Sequence, residues 1–270
     1  MSQSDISSLL RAHRSIRKFK STPIAPELID EVLVDAIAGS SSSGNLNTFS
    51  MVLTHDAERR KRLYELHLQQ DMVLQAPLVI TFNADTQRTR HWLQMHEARD
   101  NFNNFHGFLV AAFDAIILSQ TVALAFEARG LGICYMGTTL NEAPAIAEFL
   151  QLPETVFPVT ALVVGYPDEA PQARDRLPLR AYVHDEVYQT HSDAEITALY
   201  REREVRGWKR YLDMGPDMAT QFEAHGIKSL AQFYTSELKY SPIAMGRISE
   251  QLHALLKAQG FEQGAGEAQP

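Results

Sequence analysis

Residues Phe108–Phe126 read FLVAAFDAIILSQTVALAF and form the most apolar stretch of the chain. Asp114, Ser119 and Gln120 interrupt this stretch. A helix that faces lipid would rarely tolerate such side chains. The stretch therefore predicts a helix buried in a protein core, and no membrane association is expected.

On both sides of this helix, short apolar runs alternate with helical patterns. Strands are predicted over residues 49–54, 78–82, 133–136 and 156–166. Helices are predicted over residues 6–10, 26–39, 57–75 and 141–150, and after Gln189 over residues 193–212, 227–238 and 243–258. Pro26 suits a helix start, and Asn141 can cap the helix that follows it. These patterns indicate a chain of mixed α and β structure but leave its topology open.

Composition limits the class of protein. The 270 residues include 25 Lys plus Arg and 33 Asp plus Glu, a formal net charge of −8, so no basic surface for nucleic acid is indicated. Met1–Ile6 lacks the basic and apolar segments of a secretory signal, and Cys134 is the single cysteine. We therefore expect a cytoplasmic protein without an intramolecular disulfide.

Three features could suggest a dinucleotide-binding motif, a metal site or a reactive thiol, but the sequence favours none of these. The segment Gly130-Leu131-Gly132 is similar to a dinucleotide-binding fingerprint, but it follows a predicted helix rather than a strand. The histidines lack the spacing of metal ligands, so no metal site is predicted. Cys134 lies in an apolar run, which predicts a buried packing role.

Two short segments concentrate arginine. His13-Arg14-Ser15-Ile16-Arg17-Lys18-Phe19 places cationic and hydroxyl groups beside a helix end, which suits a phosphate monoester because guanidinium donates a planar fork to phosphate oxygens. Arg174-Asp175-Arg176-Leu177-Pro178 follows a predicted strand and could close on the same phosphate. Taken alone, each segment is more typical of solvated surface, with Arg176 paired to Asp175 in the second.

Residues 40–48 form a polar loop between a helix pattern and a strand pattern. Together with Gln75, its hydroxyl and amide groups suit the carbonyls and ring nitrogens of a planar heterocycle. A serine-rich linker is the alternative. The position of the loop inside the core region argues against a linker.

Five motifs, taken in order, resemble the FMN-dependent nitroreductase and flavin reductase family. They are His-Arg-Ser-Ile-Arg-x-Phe at 13–19, the Ser-rich loop with Asn at 40–48, Phe82-Asn83-Ala84-Asp85, Gly130-Leu131-Gly132-Ile133-Cys134-Tyr135, and Arg-x-Arg-Leu-Pro at 174–178. Within the family, the chain is most similar to NADPH-dependent members that have a C-terminal extension.

The resemblance implies an α+β, nitroreductase-like FMN-binding fold. Such a fold has a central, mostly antiparallel sheet flanked by helices, a long buried helix and a C-terminal helical extension. It implies an FMN-binding domain over residues 1–190, an extension over 191–258 that wraps the partner subunit, and a flexible tail over 259–270.

The resemblance also implies which residues bind FMN. The phosphate and ribityl end would be held by His13, Arg14, Ser15 and Arg17 from one side and by Arg174 and Arg176 from the other. The ribityl chain or ring edge would contact Ser41, Ser42, Ser43, Asn45 and Gln75. The isoalloxazine would lie beside Tyr135, Met136 and Gly137, where a backbone N–H approaches N5. Thr138 stands where the family often has glycine, and with Thr139 it narrows the approach to the ring.

The implied activity is that of a homodimeric NAD(P)H-dependent FMN oxidoreductase reducing nitroaromatic compounds, quinones or free flavins. FMN would carry the chemistry, so no catalytic side chain is assigned. Two alternatives stay open. One is a family member with a different reaction, such as enoate reduction, reductive dehalogenation or flavin fragmentation, and the other is a flavin-binding protein without turnover.

The reducing coenzyme is expected to be NADPH or NADH. Cations for the additional phosphate of NADPH could come from Arg88, Arg90, Arg203, Arg206 and Lys209. Aromatic residues at positions 92, 102 and 105 could either stack a flat acceptor above the pocket or pack in the dimer.

Overall fold

The computed structural model describes residues 3–262, with side chains from Ile6 onward. The chain divides into two compact units. The first comprises the residues up to Ala173 together with those from Ile248 onward, and the second is Arg174–Arg247. Residues 263–270 of the predicted tail lie outside the described residues.

The described part of the first unit contains one four-stranded sheet. Its strands are β1 (Phe49–Thr54), β2 (Leu78–Asp85), β3 (Gly132–Met136) and β4 (Val156–Gly165). Its helices are α1 (Gln3–Ala12), α2 (Pro26–Gly39), α3 (Ala57–Leu66), α4 (Met72–Gln75), α5 (Gln87–Met95), α6 (Phe105–Glu127) and α7 (Ala143–Phe149). The sheet order is β1-β2-β4-β3, and every neighbouring pair is antiparallel. This confirms the predicted α+β fold class and its antiparallel sheet.

Both faces of the sheet are buried, because side chains alternate between them along each strand. In β2, Ile80 and Phe82 pack on the face covered by α2 and α6, whereas Val79 packs on the face covered by α3, α4 and α7. A fully buried Ile, Val or Phe side chain contributes about 1.5–3 kcal/mol relative to an exposed one. The two cores therefore fix the sheet from both sides.

Helix α6 contains the predicted core helix. One side packs in the core through residues such as Leu118, Val122 and Phe126. On another side Phe113 is 61% exposed, and Ile116 and Ile117 are exposed beside it. Length and composition alone would allow this helix to cross a membrane. Its packing against the sheet instead confirms the predicted core helix for one face and leaves an apolar face uncovered.

Two local predictions are wrong. The single helix predicted over residues 57–75 is interrupted between α3 and α4, where Leu68 and Gln69 have φ of 56° and 55°. Consecutive residues with left-handed φ cannot continue a right-handed helix. Asn141 does not cap the next helix: Glu142 is the N-cap of α7, and no side chain caps it. Helix α5 also lies in a segment for which no helix was predicted.

The second unit is helical in its described residues. It contains α8 (Asp193–Leu212), α9 (Pro216–Ala224), α10 (Leu230–Tyr234) and the first residues of α11 (Pro242–Ala258). Its core is formed by Phe222, Ile227, Leu230 and Phe233. Gly207 of α8 allows close packing, because an added Cβ would lie 2.5 Å from Leu230. Helix α9 was not predicted from the sequence; it is short and buries only Phe222.

The last described residues return to the core of the first unit. Phe261 is fully buried, and its ring centroid lies 5.5 Å from that of Phe108. The N–H of Thr155 donates to the carbonyl of Gln259 at 3.0 Å. Residues 259–262 of the predicted tail therefore pack against the first unit.

Candidate cofactor site

Residues 13–20, which we call the basic segment, run beside the edge strand β3. Ser15 forms a parallel bridge with Ile133, and the N–H of Ile16 donates to the carbonyl of Ile133 at 2.9 Å. The basic segment thus adds a short, strand-like edge to the sheet.

Two glycines make room for this segment. An added Cβ at Gly132 would lie 2.6 Å from Ile16, and one at Gly165 would lie 2.9 Å from Phe19. Both Ile16 and Phe19 are buried in the core that also contains α3 and α7. These apolar side chains anchor the segment and leave Arg17 between them exposed.

The polar groups of the basic segment are partly used within the protein. The Nδ1 atom of His13 lies 2.7 Å from a carboxylate oxygen of Glu127, which leaves the second ring nitrogen for another partner. Arg14 donates to backbone carbonyls of its own turn. The backbone N–H of Arg17 donates to the carboxylate of Glu169. The exposed guanidinium of Arg17 is therefore the best placed group for binding an anion.

The polar loop of residues 40–48 is held by Asp114, a fully buried residue of α6. Its carboxylate accepts hydrogen bonds from the Ser42 hydroxyl at 2.7 Å, the Ser43 N–H at 2.9 Å and the Thr48 hydroxyl at 2.8 Å. Burial by itself raises the pKa of Asp114, but these hydrogen bonds outweigh it and hold the pKa below its usual value. The loop is thus built around a buried negative charge.

The tip of the polar loop turns through three residues with left-handed backbone. Gly44, Asn45 and Asn47 have φ of 57°, 55° and 54°, which glycine and asparagine tolerate better than other residues. The side-chain amide of Asn47 donates to the carbonyl of Asn45 at 2.8 Å, and Arg88 donates to the carbonyl of Asn47 at 2.7 Å. The predicted ligand residues that this leaves exposed are Ser41, Ser43 and Asn45.

The end of β3 presents backbone rather than side chains. The hydroxyl of Tyr135 lies 2.9 Å from that of Ser119 on α6, and burial raises the pKa of the phenol. Met136 is buried in the core on the other face. Gly137 is exposed, and a Cβ added to it would meet nothing within 4 Å. This open backbone is where a flat ring could lie, which fits the predicted contact with isoalloxazine.

Sequence reasoning missed two residues that reach this turn. Thr138 Oγ1 lies 2.9 Å from Nδ1 of His67, and Gln70 donates to the same hydroxyl at 3.3 Å. Both partners lie where a continuous helix was predicted, so helical periodicity concealed them. Gln75, the residue predicted to bind the cofactor, is exposed and accepts a hydrogen bond from the N–H of Phe19 at 3.4 Å.

Arg174 and Arg176 belong to the second unit. There they line a cavity of about 230 Å³ together with Arg203 and Arg210 of α8. Asp175 pairs with Arg210 at 2.9 Å and not with Arg176, contrary to the alternative expected for this segment. The wall is completed by Asp175, Gly207, Tyr211, Leu230 and Tyr234, so one carboxylate lies among the guanidinium groups. Four guanidinium groups beside aromatic rings suit an anionic, partly planar ligand.

Four of the five cations considered for the phosphate of NADPH form hydrogen bonds or ion pairs within the protein, and the fifth, Arg203, lies 6.0 Å from the ring centroid of Tyr234. Arg88 binds the Asn47 carbonyl, Arg90 pairs with Asp100, Arg206 with Glu202, and Lys209 with Asp213. Arg203 also lines the cavity of the second unit.

Two expectations about other side chains can be compared with the structure. Cys134 is buried, which confirms its predicted packing role, and burial raises the pKa of its thiol. Among residues 6–262, no group of three or more His, Cys, Asp or Glu side chains could hold a metal ion.

Comparison with known proteins identifies the family. The model of the Nitroreductase family matches residues 10–166. The FMN reductase [NAD(P)H] of Bacillus subtilis is 34% identical over 181 residues, which cover 66% of this chain and 72% of that protein. The structure of a Bacteroides fragilis protein provisionally assigned as an oxidoreductase has a TM-score of 0.85 and 34% identity, covering 95% of this chain and 100% of that one. The NADPH:FMN oxidoreductase of Vibrio harveyi, solved with NAD+, has a TM-score of 0.74 and 26% identity, covering 96% and 100%. The chain belongs to the nitroreductase family.

Proposed function

We propose that this protein is an NAD(P)H-dependent FMN oxidoreductase that reduces nitroaromatic compounds, quinones or free flavins. Family membership supports the enzyme class, and the relatives described as FMN reductase and NADPH:FMN oxidoreductase support the cofactor and coenzyme. One observation carries the site: the bridge between Ser15 and Ile133 sets the basic segment beside β3, the strand that ends at Met136 just before Gly137.

The residues present fit an FMN molecule. The exposed guanidinium of Arg17, with Arg14 and the second nitrogen of His13, would hold the phosphate. Exposed groups of the polar loop, from Ser41 to Asn45, would contact the ribityl chain, and the open backbone at Gly137 would face the ring. Arg174 and Arg176 stay predicted anion-binding residues of the second unit.

Bound FMN supplies the redox chemistry, since it accepts a hydride from a nicotinamide and passes the electrons to an acceptor. The protein itself binds FMN and orients it. Arg17 would neutralise phosphate charge, and Asp114 keeps the polar loop in one conformation through its hydrogen bonds. Trp92 and Phe105 are exposed and would stack a flat acceptor, which favours a broad range of aromatic substrates.

We also propose that the protein is a cytoplasmic homodimer. Phe113, Ile116 and Ile117 of α6 are neighbours on one exposed helical face. An apolar patch on a soluble protein marks an interaction surface. A second copy of the chain would bury the same face symmetrically, as most homodimers do.

The test of the function is an absorbance spectrum of the purified protein, with and without added FMN. NADPH or NADH is then added without oxygen, followed by a nitroarene, a quinone or free FMN. We expect flavin bands that bleach with a nicotinamide and return with an acceptor. Bound flavin that neither coenzyme bleaches would instead indicate a binding protein, and a protein that takes up no FMN would contradict the proposed function.

Replacing Arg17 by alanine tests the phosphate assignment. A hydrogen bond to a charged group contributes about 1.5–3 kcal/mol, so the dissociation constant of FMN should rise roughly 10- to 100-fold. Fluorescence titration of FMN measures this change, and sedimentation should show that the dimer persists. Arg62→Ala is the matched control, because Arg62 is exposed and pairs with Glu65 on its own helix. Full FMN affinity in Arg17→Ala would refute the assignment.

A further inference from the structure

Thr138 follows Gly137 in the turn after β3, and both hydroxyls of the pair at 138 and 139 are bound within the protein. The hydroxyl of Thr139 donates to the carbonyl of Met136 at 2.8 Å. The hydroxyl of Thr138 contacts His67 and Gln70. The backbone carbonyl of Thr138 accepts a hydrogen bond from the N–H of Asn141 at 3.0 Å. The turn is therefore held by side chains as well as by its backbone.

His67 is an unusual residue for this position. It follows α3, is fully buried, and makes its hydrogen bond to Thr138 through Nδ1. Its Nε2 atom is buried with no hydrogen-bond partner among the described residues. A buried polar nitrogen without a partner is unfavourable, so packing alone would favour an apolar side chain here. The polar side chain needs another explanation, and the bond to Thr138 supplies one.

We propose that His67 is a positioning residue for bound FMN, which through the Thr138 hydroxyl fixes the peptide after Gly137 against the flavin ring. This inference rests on the proposed function, because it requires the ring to lie at the open backbone of Gly137. His67 makes and breaks no covalent bond in this role.

Three features suit His67 to such a role. Desolvation lowers its pKa to about 4, so the ring is neutral at neutral pH and brings no charge towards the flavin. The bond to Thr138 is 2.9 Å, whereas the bond from Gln70 is 3.3 Å, so His67 is the closer partner. Thr138 is β-branched, and holding its hydroxyl restricts both χ1 and the adjoining backbone.

Thr138→Val is the first test, because it keeps the branched shape and removes the hydroxyl. A lost hydrogen bond corresponds to a rise of roughly 3- to 10-fold in the dissociation constant of FMN. The midpoint potential and the visible circular dichroism of the bound flavin should shift as well, because the backbone beside the ring loosens. Thr138→Ser keeps the hydroxyl and should restore the wild-type FMN affinity, midpoint potential and circular dichroism.

His67→Leu separates positioning from simple structural support. Leucine fills similar space and removes the unpartnered nitrogen, so the melting temperature of the FMN-free protein should stay the same or rise. FMN affinity and midpoint potential should nevertheless change in the same direction as in Thr138→Val. The double variant should be no more affected than either single variant, because both remove one shared interaction. A purely structural role would instead lower the melting temperature and FMN affinity together.

The outcomes distinguish this inference from the proposed function. Wild-type potential and FMN affinity in Thr138→Val would overturn the inference, and bleaching of wild-type flavin by NADPH would still support the function. A wild-type protein that takes up no FMN would overturn both. Thr138 is partly exposed, so its variants carry the test even where His67→Leu does not fold.

Discussion

Asp114 and His67 are both buried, and each holds a polar turn near the candidate cofactor site. Asp114 accepts three hydrogen bonds from the polar loop, which outweigh burial and hold its pKa below the usual value. His67 makes one hydrogen bond, to Thr138, and desolvation lowers its pKa to about 4. Both pKa values fall, but Asp114 stays charged and His67 stays neutral.

The difference shows how the number of partners decides the state of a buried group. A carboxylate with three donors keeps its charge, because hydrogen bonds replace the water it has lost. An imidazole with one partner cannot recover that loss and gives up its proton. Asp114 therefore builds the polar loop independently of any ligand. The Thr138 hydroxyl instead has one close partner, His67 at 2.9 Å, and a longer contact with Gln70 at 3.3 Å, so its position is the more adjustable of the two.

Replacing Asp114 by alanine should have the largest effect on stability. The hydroxyls of Ser42 and Thr48 and the N–H of Ser43 would lose their shared acceptor, and Thr48 is fully buried. A buried donor left without its acceptor costs about 1–3 kcal/mol, so the loss of the acceptor shared by these three donors should total several kcal/mol. Urea unfolding of the FMN-free protein measures the loss, and FMN affinity should fall with it.

Asp35→Ala is the control for this substitution. Asp35 pairs with Arg129, but its side chain is 63% exposed. Surface pairs of this kind contribute about 0–1 kcal/mol, so the free energy of unfolding should change little. Similar losses in Asp35→Ala and Asp114→Ala would contradict the role of Asp114 as the charged anchor of the loop.

The next largest effect is expected from acid, because acid protonates His67, the buried neutral residue that binds Thr138. The pKa of His67 falls from 6.5 in the unfolded chain to about 4 in the folded protein, so between these values the unfolded state binds more protons. The free energy of unfolding therefore keeps its full value above pH 6.5 and decreases as the pH falls towards about 4, because His67 then binds a proton more readily in the unfolded chain. The shift corresponds to about 3 kcal/mol. Urea unfolding across this pH range measures the loss.

Urea unfolding over the same pH range also distinguishes the effect of His67 from that of Asp114. His67→Leu should lack the part of the loss that His67 causes, and an unchanged pH profile in this variant would show that the histidine is not the responsible group. Asp114 acts at lower pH. Its folded pKa lies below the ordinary 3.8, so its stabilisation is present above that value and disappears as the pH falls through the folded pKa.

Much of the fold could be predicted from the sequence, because periodicity records burial. Helix α2 begins at Pro26 and ends at Gly39, and β1 spans residues 49–54, as predicted. The break after α3 could not be predicted, since Leu68 and Gln69 have no intrinsic preference for left-handed φ. Packing imposes that conformation, and His67 and Gln70 reach the turn after β3 only because of it.

The candidate site was predictable by residue type but not by role. The basic segment and the polar loop were both recognised, yet their side chains divide into those that bind the protein and those that face outward. Asp114 appeared in the sequence only as an interruption of an apolar helix. Its contact with Ser42 joins residues 72 positions apart, and no local pattern reports such a contact.

Ser41 and Ser42 give the smallest effects and the sharpest contrast, because they are adjacent and chemically identical. The Ser42 hydroxyl donates to Asp114 and accepts from the N–H of Asn47 at 2.7 Å, whereas Ser41 is exposed. Ser42→Ala should lower the free energy of unfolding by about 1 kcal/mol. Ser41→Ala should leave stability unchanged and weaken FMN binding roughly 3- to 10-fold. Urea unfolding and FMN titration of both variants measure the contrast. If Ser41→Ala instead lowered stability and Ser42→Ala weakened FMN binding, Asp114 would not be what determines which hydroxyl is available to FMN.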